Sequence, residues 1–417
     1  MKEVYRADYI SALVNKRHNG LIKIITGVRR CGKSYLLFTL FQRWLMQNGI
    51  DERHIIAVAL DDFKNRALTD AEALYNHVSD AITDTGQYYI LLDEIQLVNG
   101  FESVLNGFLH IPNADVYVTG SNSRFLSSDI ITEFRGRGDE VRMQPFNFAE
   151  YYSVTGGDRY EAWADYCRYG GMPQTLTMVT PQEKETYLKN LFANVYVKDI
   201  TARYKLRGQT DIDALTDVLA SSIGSLTNPK RISDTFTSSA GIKVSQPTVS
   251  RYISFLEDAF IIERAMRYDV KGRHYIGTPV KYYFTDVGLR NARLNFRQQE
   301  ENHIMENVVY NELRRRGYSV DVGVVEINGQ HDKQHTRTRL EVDFVANKGS
   351  SRVYIQVALD MNNEQKAAQE QRPLTNIADA FRKIIITRGP LVPWNDEHGI
   401  LHIALLDFLL NTRTLEL

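Results

Sequence analysis

The chain has 417 residues, 43% of them hydrophobic and 24% charged, which is enough for several domains and excludes wholesale disorder. Lys and Arg number 50 and Asp and Glu 51, so the net charge of −1 gives no overall attraction to nucleic acid or anionic membrane, and a polyanion site would be a local patch. Two cysteines are too few for a disulfide framework. No apolar run approaches the roughly 18 residues of a membrane helix, and the N-terminus has no signal-like stretch. The sequence therefore predicts a soluble cytoplasmic protein without a membrane partner.

The first third of the chain alternates strand-like and helix-like segments. Its apolar strands lack polar alternation, which is typical of a parallel sheet covered by helices on both faces. The predicted strands are 21–26, 54–60, 88–93 and 116–119, and the predicted helices are 34–47 and 70–83. This pattern indicates an α/β fold with crossover helices.

A complete phosphate-binding loop, Gly-Val-Arg-Arg-Cys-Gly-Lys-Ser, lies between the first strand and the first of these helices. The glycines let backbone N–H groups surround phosphates, Lys33 would neutralise the β- and γ-phosphates, and the Ser34 hydroxyl would bind Mg²⁺. The alternative is an ordinary tight turn capped by Ser34. The predicted nucleotide-binding residues are Gly27, Val28, Arg29, Arg30, Cys31, Gly32, Lys33, Ser34 and Tyr35.

Two carboxylates, Asp93 and Glu94, end the apolar strand 88–93. Beside the loop, Asp93 could hold Mg²⁺ through water, and Glu94 could orient or deprotonate the attacking water. The alternative is two acids that merely end a strand at the surface. The pair favours hydrolysis over nucleotide storage.

Four further residues are candidates for the phosphoryl-transfer step. Ser121 or Asn122, after the strand 116–119, could contact the γ-phosphate or position the water. Arg135 or Arg137 could stabilise charge on the transferring group, from the same chain or from a neighbouring copy. The alternatives are a Gly-Ser-Asn turn and a solvated basic turn.

These motifs resemble the AAA-type P-loop ATPases widespread in bacteria and archaea, whose C-terminal region is usually labelled a domain of unknown function. The segment 144–151 and the Gly-Gly-Met-Pro sequence at 170–173 carry the same resemblance. The resemblance implies ATP and Mg²⁺ as cofactors, and it leaves homo-oligomerisation open. It implies four domains: a P-loop core (1–146), a helical lid (147–205), a winged-helix-like domain (206–295) and a small restriction-endonuclease-like α/β domain (296–417).

The third region has a helix-turn-helix pattern, with helices predicted at 229–236 and 245–256 and a wing formed by two strand-like runs. Gln246, Thr248 and Arg251 could face DNA. The net charge of the region is only weakly positive, which is unusual for a DNA-binding module. Docking of a protein partner is therefore an equal alternative.

The last region resembles a restriction endonuclease in the order Glu306 on a helix, Asp343 on a strand and Gln356 on the next strand. Active members carry a lysine two residues further on, which polarises the water, and this chain has Ala358 there. We therefore expect a degenerate nuclease site whose polar residues only hold the fold. The polar stretch 328–339 is predicted to be a loop.

The sequence as a whole predicts a Mg-dependent ATP hydrolase that couples its nucleotide state to movement of the winged-helix and C-terminal domains on a partner, which nucleic acid would fit. Two alternatives stay open. One is a nucleic-acid-processing protein with an active C-terminal nuclease, and the other is a slow nucleotide-gated switch.

Overall fold

The computed structural model of the protein describes residues 3–120, 136–204, 209–240, 244–298, 300–331, 334–361 and 363–416. The chain divides into two compact units. The first comprises Met1–Pro145 with Asp258–Phe260, and the second comprises Phe146–Glu257 with Ile261–Leu417.

The first unit is built on a five-stranded sheet in the order β2-β3-β4-β1-β5, with every neighbouring pair parallel. The strands are β1 (Ile22–Thr26), β2 (Ile55–Ala59), β3 (Tyr88–Asp93), β4 (Ala114–Thr119) and β5 (Gly138–Arg142). The helices are α1 (Ala7–Asn15), α2 (Lys33–Tyr35), α3 (Gln42–Gln47), α4 (Ala71–Ala81) and α5 (Phe101–Phe108), with the π-helical segment Leu36–Phe41 joining α2 to α3. The predicted α/β alternation is confirmed, and the carboxyl ends of all five strands meet at one edge.

Alternate residues of these strands pack on the two faces of the sheet. On one face Ile24, Ile90 and Val118 belong to an apolar cluster that also includes residues of α4 and α5. On the other face the ring of Tyr117 packs 4.7 Å from that of Phe41, in the helix that follows the phosphate loop. Both faces are therefore covered, as the unbroken apolar strands predict.

The second face also contains a buried ion pair near the amino ends of the strands. Lys23 of β1 is fully buried and bonds the carboxylate of Asp115 on β4, which also accepts a hydrogen bond from the Tyr117 hydroxyl at 2.9 Å. Burial lowers the pKa of Lys23, and the neighbouring Asp115 partly opposes that shift. This lysine lies at the edge opposite the phosphate loop and takes no part in that site.

In its described residues the second unit has seven α-helices before the first strand of an eight-stranded mixed sheet, whose order is β12-β13-β11-β10-β9-β8-β6-β7. Its first helices are α6 (Phe148–Thr155), α7 (Arg159–Tyr169), α8 (Pro181–Leu191), α9 (Lys198–Arg203), α10 (Gln209–Ser221), α11 (Pro229–Ala240) and α12 (Gln246–Asp258), with π-helical Phe192–Val197 between α8 and α9. The strands are β6 (Ile262–Asp269), β7 (His274–Phe284), β8 (Ser319–His331), β9 (Gln334–Lys348), β10 (Ser351–Ala358), β11 (Arg382–Thr387), β12 (Trp394–Asn395) and β13 (Leu401–Ala404). The remaining helices are α13 (Val287–Arg293), α14 (Glu301–Arg315), α15 (Glu364–Thr375) and α16 (Leu405–Leu410).

The hairpin expected to form a wing, β6 and β7, is part of this same sheet. Its strand β6 pairs in parallel with β8, where Arg267 lies opposite Val322 and Asp269 lies opposite Val324. The wing hairpin is therefore part of the C-terminal sheet, with β7 as its edge strand. The four-domain division remains a prediction.

The prediction of a loop at 328–339 is wrong for the described part of that stretch. Strands β8 and β9 continue their antiparallel register through Asn328 opposite Arg337 and Gly329 opposite Thr336. The sequence of the stretch has no apolar alternation. The hairpin forms because the backbone pairing of β8 and β9 continues into this stretch from the rest of the same two strands.

The Gly-Gly-Met-Pro segment packs closely against other residues of the second unit. A Cβ atom on Gly171 would lie 1.9 Å from the carbonyl oxygen of Phe146, so a side chain does not fit there. The Gly171 N–H donates to the buried carboxylate of Asp286 at 2.7 Å, and Met172 is fully buried. The segment therefore has a packing function within this unit.

Across the described residues, no helix combines the length and the apolar character required to cross a bilayer.

Candidate functional site

The turn between β1 and α2 has the backbone conformation of a phosphate-binding loop. Gly27 and Gly32 have φ angles of 136° and 104°, which L-residues with a side chain rarely adopt. A Cβ atom on Gly27 would also lie 2.0 Å from the carbonyl oxygen of Met143, just after β5. Both the backbone angle and the contact therefore require glycine at position 27.

The other predicted loop residues divide between the core and the surface. Val28 and Cys31 are fully buried, and the Cys31 Sγ lies 3.7 Å from the carbonyl oxygen of Met143. The exposed side chains of the predicted set are Arg29, Arg30, Ser34 and Tyr35. Val28 and Cys31 could therefore contact a nucleotide only through their backbone groups.

Lys33 lies inside the loop. Its Nζ donates hydrogen bonds to the backbone carbonyls of Gly27 at 2.9 Å and Val28 at 3.2 Å, and the residue is only 4% exposed. Within the described part of the chain Lys33 forms no salt bridge, so neutral acceptors hold a charge that remains available to an anion.

Asp93 ends β3 beside the loop, where the parallel sheet order predicts it. Its carboxylate accepts hydrogen bonds from the hydroxyls of Thr119 and Ser34, and no described cation forms a salt bridge with it. Burial raises the pKa of Asp93, while the two hydroxyls oppose that shift. A buried carboxylate held only by hydroxyls has oxygen chemistry that suits Mg²⁺.

Glu94 follows directly in a left-handed conformation, with φ of 53°. A non-glycine residue in this region costs on the order of 1–2 kcal/mol, and such strain clusters at functional sites. Its N–H donates to Thr119 Oγ1 at 3.1 Å, and its carboxylate accepts a hydrogen bond from the Gln96 side chain. The conformation thus turns Glu94 away from the direction of the strand that delivers Asp93.

Sequence reasoning missed Thr119 as a site residue. The Thr119 hydroxyl donates to Asp93 and accepts from the Glu94 N–H, so it connects the two acids. The available signal was its position as the last residue of β4, at the same sheet edge as Asp93. The sequence predicted Ser121 or Asn122 for this role instead, and both lie outside the described residues.

Arg6 was also missed, because nothing in its local sequence marks it. This buried residue precedes α1, and its guanidinium donates to the carbonyl oxygens of Cys31 at 3.4 Å, Gln144 at 3.0 Å and Pro145 at 3.4 Å. It therefore connects the phosphate loop to the segment that leaves β5. Only the tertiary structure brings these three carbonyls together.

Arg137 lies at the opposite edge of the sheet from the phosphate loop. It precedes β5, whose first residue pairs with Ile22 at the start of β1, and its side chain donates to the Asn106 side chain at 3.2 Å. The length of β1 separates Arg137 from the loop, which at about 3.3 Å per residue is about 15 Å. Arg135, the other predicted arginine, is outside the described residues.

The three candidate DNA contacts lie near the start of α12. Gln246 and Arg251 are exposed and Thr248 is half-buried, while Ser245 accepts a hydrogen bond from the Thr248 N–H as a helix cap. The opposite face, with Val249 and its neighbours, is buried. The exposed face of the helix at these residues is therefore polar, but it has no cluster of charged side chains.

The predicted nuclease residues do come together, and they surround a lysine that the sequence did not indicate. Lys281 of β7 lies 2.8 Å from Glu306 Oε1, 2.7 Å from Glu341 Oε1 and 3.9 Å from Asp343 Oδ1. Gln356 Oε1 accepts a hydrogen bond from the Asp343 N–H at 3.3 Å. An ammonium group therefore enters the cluster from a different strand than the one carrying Ala358.

The charges in this cluster perturb one another. Burial and the neighbouring Glu306 raise the pKa of Asp343 well above its usual range, although Lys281 opposes that shift. The Tyr283 hydroxyl donates to Glu306 at 2.5 Å. Within the described residues no group of three or more His, Cys, Asp or Glu side chains is arranged to hold a metal ion.

Comparison with known proteins gives the family. Residues 19–152 match an AAA domain, and residues 160–300 and 301–406 match two domains of unknown function. An uncharacterized protein of Haemophilus influenzae is 32% identical over 98% of each chain, and one of Methanocaldococcus jannaschii is 25% identical over 95% of this chain and 86% of its own.

The Orc1 protein of Aeropyrum pernix, solved in complex with DNA, is a more distant likeness. It aligns with 70% of this chain and 92% of its own at 14% identity and a TM-score of 0.31. The chain therefore belongs to the family of the Haemophilus influenzae protein and has an AAA domain over residues 19–152.

Proposed function

We propose that the protein is a Mg-dependent ATP hydrolase that uses its nucleotide state to move the second unit on a partner. One observation supports this most strongly. Asp93, Ser34 and Thr119 share hydrogen bonds beside the phosphate loop, and the strained Glu94 follows directly. A loop that only stored a nucleotide would not need this second carboxylate.

The loop residues fit the phosphates of ATP. Backbone N–H groups around Gly27 and Gly32 would receive the phosphate oxygens, and Lys33 would exchange its two backbone carbonyls for the β- and γ-phosphates. Because the exchanged partners are neutral, binding the anion improves the electrostatic environment of the ammonium group.

The hydroxyl of Ser34 and the carboxylate of Asp93 would hold Mg²⁺, which when bound supplies positive charge next to the phosphates. Glu94 would accept the proton of the attacking water, and Thr119 would hold the two acids in register. The Gln96 amide, bonded to Glu94, keeps that carboxylate in one orientation.

Coupling to the second unit is supported by the contacts of the loop. Cys31 and Gly27 pack against Met143, and Arg6 bonds both the loop and the carbonyls of Gln144 and Pro145. The second unit begins at the next residue, Phe146. A shift of the loop on phosphate binding would therefore act on the segment that leads into that unit.

ATP turnover by wild type, Lys33→Ala and Glu94→Gln tests the proposal. We expect Lys33→Ala to lose tight Mg-ATP binding in calorimetry. We expect Glu94→Gln to bind Mg-ATP normally and to hydrolyse it about 10²–10⁴-fold more slowly, since an amide cannot accept the proton. Arg66→Gln, an exposed change in the same unit, is the matched control and should leave both properties unchanged. Wild-type turnover in Glu94→Gln would remove Glu94 from the mechanism, and equal binding by Lys33→Ala would remove the site.

Metal-dependent phosphodiester cleavage by the carboxylate cluster is a second candidate, favoured by one observation. Lys281 supplies the ammonium group that position 358 lacks, so Ala358 does not by itself exclude a nuclease. We place this function second because Lys281 bonds the same carboxylates that would ligate the metal. Incubation of plasmid, single-stranded DNA and RNA with Mg²⁺ or Mn²⁺ decides between the two, and we expect no cleavage. Cleavage that is lost in both Asp343→Asn and Lys281→Met would reverse this order.

A further inference from the structure

A basic cleft of about 990 Å³ lies at one end of the C-terminal sheet. It forms where β9 ends and where β10, β11 and β13 begin, because the parallel strands bring their amino ends to the same edge. Its lining includes the cations Lys348, Arg352, Arg382 and Lys383, and the aromatic residues Tyr318 and Phe381. Among the described residues of the lining, Glu416 is the one with a carboxylate side chain.

The four cations are held in place without being neutralised. Their hydrogen-bond acceptors are uncharged: Lys348 bonds the carbonyl of Arg316 at 2.9 Å, Arg352 the side chain of Asn347 at 2.8 Å, Arg382 the carbonyl of Leu415 at 2.8 Å and Lys383 the carbonyl of Asp379 at 2.9 Å. In the described part of the chain none of the four forms a salt bridge. Neutral acceptors position a cation and leave its charge free for an anion.

Asp379, an acid outside the lining, is already engaged. The carboxylate of Asp379 accepts hydrogen bonds from the Tyr354 hydroxyl at 2.6 Å and from the Phe381 N–H at 3.1 Å. The cleft is therefore a positive patch on a chain whose net charge is −1. The composition of the whole sequence gave no sign of it.

Aromatic rings lie among these charges. Phe381 is 41% exposed, and the Arg352 guanidinium lies 5.4 Å from its ring centroid. The Lys348 ammonium lies 5.5 Å from the ring of Tyr318. Aromatic rings beside cations are typical of grooves in which bases stack while the phosphates contact basic side chains. Inorganic phosphate alone would fill only a small part of the volume.

We propose that this basic cleft binds a short stretch of single-stranded nucleic acid. The four cations receive the phosphates and Phe381 offers a ring for a base. The site lies within the second unit, and its binding does not depend on ATP hydrolysis by the first. It therefore goes beyond the proposed ATPase function and identifies a ligand class and a surface for it.

Fluorescence anisotropy with labelled 15-nucleotide DNA and RNA strands tests this on the full chain over a range of salt concentrations. Four phosphate contacts predict a slope of log Kobs against log salt of about −3, since each contact to a single strand contributes about −0.7. The double variant Lys348→Gln/Lys383→Gln should bind at least tenfold more weakly at low salt, with a slope about 1.4 units shallower. Phe381→Ala should weaken binding by about five- to one-hundredfold with an unchanged slope, because it removes stacking and no charge.

Matched controls separate this cleft from the other candidate surfaces. Arg372→Gln removes an exposed arginine on α15 that does not line the cleft, and Arg251→Gln removes the candidate contact on α12. Both should bind oligonucleotide as the wild type does. The Lys33→Ala protein should also retain full binding, which excludes attachment of the strand to the phosphate loop.

Several results would overturn the proposal. They are no binding by wild type, binding unchanged in the double variant and Phe381→Ala, a loss that occurs in Arg251→Gln instead, and equal competition by polyglutamate, which would indicate a generic anion site. Competition by inorganic phosphate or a free nucleotide at concentrations near the oligonucleotide Kd would likewise replace a strand with a small phosphate ligand. Unchanged thermal unfolding of the variants shows that any loss is not a folding defect.

Discussion

A single hydroxyl group, that of Thr119, joins the two carboxylates at the end of β3. The residue is fully buried at the last position of β4. Its hydroxyl accepts a hydrogen bond from the Glu94 N–H and donates one to the Asp93 carboxylate. This hydroxyl supports a buried carboxylate that has no described cation partner and a neighbouring residue with a strained backbone. The geometry of the proposed site therefore depends on a residue that need not touch the nucleotide.

Thr119→Val keeps the shape of the side chain and removes both hydrogen bonds. We expect Mg-ATP affinity within a few-fold of wild type and kcat lower by about 10–100-fold, with a loss of about 1–3 kcal/mol in the free energy of unfolding. Thr119→Ser restores the hydroxyl and should recover most of kcat. Steady-state turnover with calorimetric binding measures the split. A kcat that Thr119→Val leaves unchanged would mean that Glu94 is positioned by other contacts.

At the scale of an element, helix α13 begins on a buried carboxylate. Asp286 accepts hydrogen bonds from the N–H of Leu289 at 2.9 Å, within the helix, and from that of Gly171 at 2.7 Å, in the Gly-Gly-Met-Pro segment. Burial raises the pKa of Asp286 to about 6, although these N–H donors oppose the shift. The same side chain thus caps one helix and holds the end of another.

The raised pKa makes the stability of the second unit depend on pH. Because the folded state binds the proton of Asp286 more tightly than the unfolded state, its contribution is fully present below pH 3.8 and is lost as the pH rises through about 6. The shift corresponds to about 3 kcal/mol at most. In Asp286→Asn this dependence should vanish, so the stability of wild type relative to the variant should fall between about pH 4 and 6.

Urea denaturation followed by tryptophan fluorescence measures this difference. In a Trp44→Phe background the remaining tryptophans, Trp163 and Trp394, both report on the second unit. Wild-type and Asp286→Asn curves that stay parallel across this pH range would contradict the raised pKa.

At the scale of the whole molecule, the position of Arg137 bears on assembly. The arginine lies at the sheet edge opposite its own phosphate loop, so we expect it to act on the nucleotide of a neighbouring copy if it acts at all. Turnover per chain should then rise with protein concentration. Arg137→Ala and Lys33→Ala proteins, each inactive, should recover some activity when mixed, since one supplies an intact loop and the other the arginine.

Mixing Lys33→Ala with the double variant Lys33→Ala/Arg137→Ala is the control, and it should stay inactive because no intact loop is present. Specific activity that does not change with dilution, together with no recovery on mixing, would instead favour a site completed within one chain.

The phosphate-loop motif could be predicted from the sequence because the residues that define it lie close together along the chain. The glycine spacing, the lysine and the serine lie on consecutive residues, and Asp93 follows an apolar strand whose place in a parallel sheet brings it to the same edge. The α/β alternation was predictable for the same reason, since apolar strands covered on both faces have a characteristic composition. The hairpin at 328–339 was not, because its pairing follows from the partner strand and not from its own pattern.

Only the tertiary structure decided which side chains meet across long separations. Lys281 and Asp343 are on strands that are not neighbours in the sheet, yet their charges share one cluster. Arg6 reaches carbonyls more than a hundred residues away, and the basic cleft assembles cations from three strand ends. Charge and burial at such sites depend on distances that sequence spacing does not contain. The sequence by itself therefore determined the phosphate-loop motif and the carboxylate that lies beside it, and the folded chain alone decided the partners of buried charges such as Lys281 and Arg6.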